Sequence, residues 1–335
     1  MPITAKELAS HLNLSAAAVS MALNNKTGVS TVTRQRVIAA AREFGYDFSK
    51  HRDPSRHTAE KGTITFLIYK KHGAVVADTP FFGQLTEGIE QACSQASYIL
   101  NVNYLYESED IPSQLERMNY CNGILLLGTE MRYQDFQPFD TVKTPLVVLD
   151  TYYENLKYDC VLINNFQGAY QAACHLLKTT GAQPGYLRSS YRIGNFDERA
   201  DGFYRAIRDF GLSPSHSQSI LLTPSLEGAY EDMKSQLRAG VKPARCYFAD
   251  NDLIAAGAMK ALKEAGFLTP ADVALVGFDD MPLCTFVEPS LTTINVPKQY
   301  LGHIAVERLT TLIDNRLHYP VKTEIGTQLI RRHST

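Results

Sequence analysis

Several absences narrow what this chain of 335 residues can do. Neither G-x-G-x-x-G nor G-x-x-x-x-G-K-[ST] occurs, so no backbone cradle for nucleotide phosphates is prepared. The six cysteines, Cys93, Cys121, Cys160, Cys174, Cys246 and Cys284, form no Cys-x-x-Cys pair and lie mostly in apolar surroundings. Buried free thiols in a reducing compartment are the expectation, not a disulfide framework. His, Cys and Asp are nowhere clustered at metal-ligand spacing, so neither cofactor nor metal is expected. No apolar run is long enough to span a membrane and no secretory leader is evident, which points to a cytoplasmic protein without a membrane partner. Tryptophan is missing altogether, whereas tyrosine occurs eighteen times.

What remains is ordinary globular stock, 44% hydrophobic and 20% charged, long enough for two or three domains. The net charge of −2 is unevenly spread. Residues 1–61 hold nine Lys or Arg against five acids, while the remainder holds 24 against 30. A basic head on an acidic body fits one nucleic-acid-binding domain joined to a domain of another kind.

The head, Thr4 to Tyr46, reads as three short helices. Thr4 with Glu7 three residues on fits a capping box, and Leu8 and Leu12 share one helix face. Asn13-Leu14 breaks the run. Ser15 can cap a second helix that sets Val19 and Leu23 one turn apart. Asn24 to Gly28 is a turn by composition. Ser30 or Thr31 opens a third helix, with Val37 and Ala41 inward and Gly45 at its end. Such a set lays its second helix in the major groove of DNA.

Leu8-Ala9, Ser15, Val19-Ser20, Leu23-Asn24, Val29-Ser30, Thr33-Arg34, Val37, Ala40-Ala41 and Gly45-Tyr46 together resemble the DNA-binding headpiece of the LacI/GalR repressor family. The resemblance implies that Ala16, Ala17 and Met21 meet base edges. None of these can make bidentate hydrogen bonds, so direct readout is expected to be apolar, against thymine methyls. Thr4, Ser15, Ser20, Asn24, Ser30 and Thr33 match positions that touch phosphate or fix register. Residues 48–61 are a polar linker in which the chain departs from its relatives. Pro54 forbids an uninterrupted hinge helix, and Ser55 stands where relatives carry a leucine that wedges into the minor groove. Arg52 and Arg56 remain as candidates for a narrow minor groove.

From Thr63 onward, apolar runs alternate with helical patterns, a βαβ rhythm that implies parallel sheets. ITFLIY, YILNVNYL, GILLLG and PLVVLD form a first set; CVLI, GYLR, ILLT, RCYFA and VALVGF form a second. Helices are expected near 81–96, 166–179, 199–210, 226–238 and 252–265. The motifs Asn164-Asn165, Arg199-Ala200-Asp201-Gly202-Phe203, Ala249-Asp250-Asn251-Asp252, Val276-Gly277-Phe278-Asp279-Asp280 and Pro289 to Ile294 resemble the same family's effector-binding core, a periplasmic-binding-protein-like fold. The whole is then a small all-α headpiece, residues 1–47, followed by a two-lobed α/β core with three crossovers. The expected lobes are 62–160 plus 291–321, and 161–290 plus 322–335, with one last strand near Thr323–Ile330.

Ligands of open α/β sheets lie outside the carboxyl ends of the strands, where Asp150, Asn251 and Asp279 fall. The family pattern adds Arg199, with Asn195 four residues before it, and Phe81-Phe82 opposite. Phe81, Phe82 and Phe196 suit the C–H faces of a sugar; Asp150, Arg199, Asn251 and Asp279 suit its hydroxyls. Asp250 and Asp252 are expected to cap the following helix. A purine or nucleoside is the alternative effector, since Ser189, Ser190 and Tyr104, Tyr106, Tyr133, Tyr152 and Tyr153 suit a base. An enzyme using Asp279-Asp280 or Asp250 and Asp252 as an acid/base pair is a distant alternative, because adjacent strand residues point to opposite faces. Operator DNA, near-palindromic, is the expected partner. The chain has no heptad tail, so a homodimer is expected rather than a tail-tied tetramer.

Overall fold

Helical periodicity rules the first fifty residues and strand–helix alternation the rest, and a computed structural model divides the chain at that change, into units of residues 1–60 and 61–335. It describes residues 4–23, 29–44, 46, 60–71, 73, 75–76, 80–116, 121–315 and 319–335. Asn24, Gly45 and nearly all of the linker, including Arg52, Pro54, Ser55 and Arg56, lie outside the described residues.

In the first unit, α1 (Ala5–Leu12), α2 (Ala16–Leu23) and α3 (Thr31–Glu43) each begin at a capping side chain. Thr4 Oγ1 accepts from Glu7 N–H at 3.3 Å while the Glu7 carboxylate accepts from Thr4 N–H at 2.7 Å, the reciprocal box the spacing predicts. Ser15 Oγ accepts from Ala18 N–H and Ser30 Oγ from Thr33 N–H. Asn13 ends α1 in the left-handed region at φ 53°, a conformation asparagine tolerates well. Leu8, Ala9, Leu12, Val19, Ala22, Val37, Ala40 and Ala41 close a small core, and Arg36 Nη2 ties α3 to the Leu12 carbonyl at 3.1 Å.

The second unit has two six-stranded sheets. The first runs β11-β5-β4-β3-β1-β2 and is parallel throughout. Its strands are β1 (Gly62–Lys70), β2 (Tyr98–Tyr106), β3 (Gly123–Leu127), β4 (Leu146–Leu149), β5 (Asp159–Ile163) and β11 (Lys322–Ile325). The second runs β12-β10-β9-β8-β6-β7, with β6 (Gly185–Ser189), β7 (Ser219–Leu222), β8 (Cys246–Ala249), β9 (Ala274–Asp279), β10 (Thr292–Asn295) and β12 (Gln328–Ile330). Only β12 is antiparallel to its neighbour among these pairings. Runs such as LLL in β3 and CYFA in β8 are buried at every position, as both-faced parallel sheets require. The α-helices of this unit are α4 (Pro80–Gln95), α5 (Ile111–Glu116), α6 (Asn165–Thr180), α7 (Gly194–Asp209), α8 (Leu226–Arg238), α9 (Asp252–Glu264) and α10 (Lys298–Asp314), and all but α5 and α6 position the cleft.

The sheets correct the expected lobe boundaries. CVLI, read as the start of the second lobe, lies in β5 and pairs with β4 in the first sheet. Thr292–Asn295, read as first lobe, pairs with β9 in the second. The single last strand is two: β11 closes the first sheet beside β5, and β12 joins the second after Gly326-Thr327. The chain therefore crosses after β5, β10 and β11 rather than before them. Strand–helix rhythm says where a strand is, but only its ladder partner says which sheet it completes. The helix expected from residue 199 starts at Gly194, which brings Asn195 and Arg199 onto one face a turn apart.

Candidate functional site

The carboxyl ends of both sets of strands open on one cavity of about 150 Å³ within the second unit. Every side chain expected there lines it: Phe81, Phe82 and Asp150 from the first lobe, and Asn195, Phe196, Arg199, Asn251 and Asp279 from the second. Val75, Thr129, Ile193, Pro224, Ser225, Leu253 and Met281 complete the wall and escaped the sequence reading. Thr129, Ser225 and Met281 follow β3, β7 and β9, so the strand-end rule that found Asp150 reaches them too. The tyrosines and serines offered for a base do not line the cavity among the described residues. Tyr104 sits under Lys70, Tyr152 under Lys322, and the Tyr153 hydroxyl donates to the Met131 carbonyl.

Buried polar groups hold the walls. Asp150, 2% exposed, accepts from Thr129 Oγ1 at 2.6 Å and, from the opposite lobe, Asn195 Nδ2 at 2.9 Å. Arg199, 3% exposed, donates from Nε to Asn165 Oδ1 at 2.9 Å, from Nη1 to the Asp250 carbonyl, and from Nη2 to Asp279 Oδ1 at 3.3 Å. Its guanidinium also lies 3.7 Å from the Phe278 ring centroid. Lys298 is buried at the crossing from β10 to α10, donating to the carbonyls of Asp279, Asp280 and Val296, with its Nζ 5.6 Å from the Phe81 ring centroid. One cation thus bears on both lobes.

Asp150, Asp279 and Asp280 adopt φ of 61°, 110° and 53°. Side chains seldom occupy that region, and such strain persists only where the surroundings over-determine it, commonly at binding sites. Burial pushes the carboxyl groups up: Asp150 and Asp250 to about 6, and Asp252 to about 7 with the Asp279 charge adding to it. Asp279 is also raised by burial, against the pull of Arg199 and Lys298.

The expected caps are corrected. Asn251, not Asp250 or Asp252, caps α9, its Oδ1 accepting from Ile254 N–H at 2.8 Å. Asp250 instead accepts from the Tyr186 hydroxyl and Ser189 N–H, and Asp252 from Met281 N–H and Thr293 Oγ1. A cap needs its acceptor behind the first turn, a place only Asn251 occupies. Asp280 turns from the cavity toward Arg332 and Asn295, so Asp279 and Asp280 do not face one substrate bond.

On the headpiece, Ala16 and Ala17 are exposed on α2 and Met21 is half-buried. Thr4, Ser15 and Ser30 are exposed caps, and Ser20 and Thr33 are half-buried. Among the described residues no group of acids, histidines and cysteines is placed to hold a metal, and no helix is long and apolar enough to cross a membrane.

A helix-turn-helix unit joined to a two-lobed α/β core with a cleft at its strand ends has the architecture of a regulator of transcription. Comparison with known proteins specifies the class. Residues 4–48 match the bacterial regulatory proteins of the lacI family, and residues 175–335 match a periplasmic binding protein-like domain. The transcriptional regulator GalS of Salmonella typhimurium is 29% identical over 99% of this chain and 96% of its own. The repressor PurR of Actinobacillus pleuropneumoniae is 27% identical over 99% and 98%. In fold, the chain resembles the regulator CelR in its cellobiose complex, with a TM-score of 0.71, 22% identity, and coverage of 99% and 100%. The chain thus joins a lacI-family headpiece to a periplasmic binding protein-like domain.

Proposed function

We propose that this regulator binds a near-palindromic operator as a homodimer and that a small carbohydrate in the cleft sets its affinity for DNA. One observation carries the ligand reading: aromatic rings and carboxylate, amide and guanidinium groups from both lobes line one cavity. Phe81 and Phe82 meet edge to face, with centroids 5.0 Å apart, and offer apolar surface to sugar C–H groups. Asp150 and Asp279 accept from hydroxyls; Arg199 and the Asn251 amide donate. A protein cavity of about 150 Å³ admits one benzene-sized ring, which favours a monosaccharide over a longer sugar. The solved neighbours differ on this point, one bound to cellobiose and another to ribose, so the cavity has to decide. Among the described residues no tyrosine lines it, nor do Ser189 and Ser190, which speaks for the sugar.

A ligand shifts DNA affinity only by binding the two lobe arrangements unequally. For the dimer, two exposed apolar faces are the support. Edge strand β2 presents Val102, Tyr104 and Tyr106, and the opposite lobe presents Leu226 and Phe286, the latter 85% exposed.

A thermal-shift panel on the full chain tests the ligand, with free sugars, nucleosides and nucleobases. Ligand at a hundred times Kd adds about 2.7 kcal/mol to stability. One sugar class is expected to shift the melt, and Asp279→Ala to abolish the shift. A shift with nucleobases alone refutes the sugar. Footprinting that protects only one half-site, by a monomer in ultracentrifugation, refutes the dimer.

A further inference from the structure

We infer that the cleft selects an uncharged ring and rejects the same ring carrying a phosphate or carboxylate. This deepens the carbohydrate reading and rests on it for the ring's identity, though not for its charge.

Among the described residues Arg199 is the one cation in the lining, against Asp150 and Asp279, with Asp250 and Asp252 immediately behind them. Three of the five N–H donors of Arg199 are engaged by Asn165, the Asp250 carbonyl and Asp279. Its charge is already matched by the Asp279 carboxylate. Lys298, the next cation inward, directs its ammonium to three backbone carbonyls, which exhausts its donors. An anion entering here would meet a surplus of carboxylates and no unmatched positive charge, in a setting too dry to screen them.

Four helix N-termini, those of α4, α7, α8 and α9, open toward the cavity and by themselves favour an anion. Two of them are answered from within. Ser225 Oγ accepts from Gly228 N–H and Asn251 Oδ1 from Ile254 N–H. Asp197, Glu227 and Asp252 place acids in the first turns of α7, α8 and α9. Three of the four dipoles are therefore already met by the protein's own acids, and only α4 has none in its first turn. A hydroxyl, in contrast, suits what is left: it donates to Asp150 or Asp279 and accepts from the remaining Arg199 hydrogens or the Asn251 amide. Burial lifts Asp150 only to about 6, so it is ionised and repels anions at pH 7.5.

The test is calorimetry on the full chain at pH 7.5 with matched pairs: D-glucose, D-galactose and D-ribose beside their terminal phosphates, and adenosine and guanosine beside their monophosphates. Whichever neutral compound binds, its phosphate is expected to bind at least about a hundredfold more weakly. Asp150→Asn is expected to narrow that ratio about tenfold, with Asp279→Asn as the second variant should the first not fold. A phosphate binding as tightly as its parent, or a ratio unmoved in both variants, overturns the inference. A nucleoside that binds while its monophosphate does not leaves charge exclusion standing and removes the carbohydrate. If no compound of either kind binds, both readings fall.

Discussion

The headpiece and the cleft are built in opposite ways. On α2 the exposed positions are alanines, and the polar side chains nearby are engaged as helix caps: Thr4, Ser15 and Ser30 each satisfy a backbone N–H of their own helix. These polar contacts are local, within three residues of chain, while the small core and Arg36 join the helices. In the cleft, by contrast, the charged side chains are held by partners far away in sequence. Arg199 joins residues 34, 51 and 80 positions distant, and Asp150 reaches Asn195 across 45. A surface that reads the outer face of a duplex can rest on capping; one that must hold a buried ligand needs its groups fixed from several directions before the ligand arrives.

The contrast is sharpest at Arg199. Removing one partner from a buried charged network leaves the others desolvated and unpaired, which costs about 3–5 kcal/mol. Arg199→Ala is thus expected to lower the core's melting transition more than any other single change proposed here, and to abolish sugar binding. A melt within a degree of wild type would mean that the network is not built as described. Leu8→Ala, in the headpiece core and 0% exposed, is expected to cost about 3 kcal/mol. It should eliminate operator binding in a gel-shift assay while the sugar-induced thermal shift persists. Loss of both would show the two units to be one cooperative whole.

The same contrast explains what could be read from residue order. The headpiece was legible nearly to the residue, because caps and i, i+4 spacings lie within a few positions of one another: Thr4 with Glu7, Ser15 before α2, Val37 with Ala41. The strands were legible as runs, and their carboxyl ends as the place where a ligand sits, so all eight expected side chains line the cavity. Sheet membership was not legible. Asp159–Ile163 and Lys322–Ile325 are distant in sequence yet form adjacent strands, and nothing local in CVLI distinguishes the first sheet from the second. Nor were the partners of Asp250 and Asp252 legible. Tyr186 and Thr293 reach them only because β6 and β10 lie beside β8 and β9.

A smaller effect probes the cost of preparing the cleft. The Asp150 carboxyl is raised above its usual value of 3.8 to about 6 by burial, so folding favours its protonated form. Its contribution is therefore greatest below about pH 4 and is lost as pH rises through 6. Asp150→Asn, neutral throughout, is expected to be more stable than wild type at pH 8 by about 1–3 kcal/mol, with the difference closing toward pH 4. Sugar affinity should fall in the same variant, since a hydroxyl loses its charged acceptor. Equal melting curves at pH 8 and pH 4 would contradict the burial of an ionised carboxylate at this position.

The smallest expected effect separates the two roles that converge on Thr4. As a cap, its hydroxyl is worth about 1 kcal/mol to the headpiece; as a phosphate contact, it would add to operator affinity without regard to sequence. Thr4→Ser keeps the hydroxyl for both roles and is expected to match wild type in headpiece melting and in DNA binding. Thr4→Ala loses the cap, so the headpiece transition moves down by the equivalent of about 1 kcal/mol and operator binding weakens only as far as the folded fraction falls. If binding weakens further than the melt accounts for, by the same factor on operator and on unrelated duplex, the excess is the phosphate contact. If it weakens only as the melt predicts, Thr4 acts on DNA through its own helix alone, and the polar rim of the headpiece is scaffolding for the apolar face of Ala16, Ala17 and Met21.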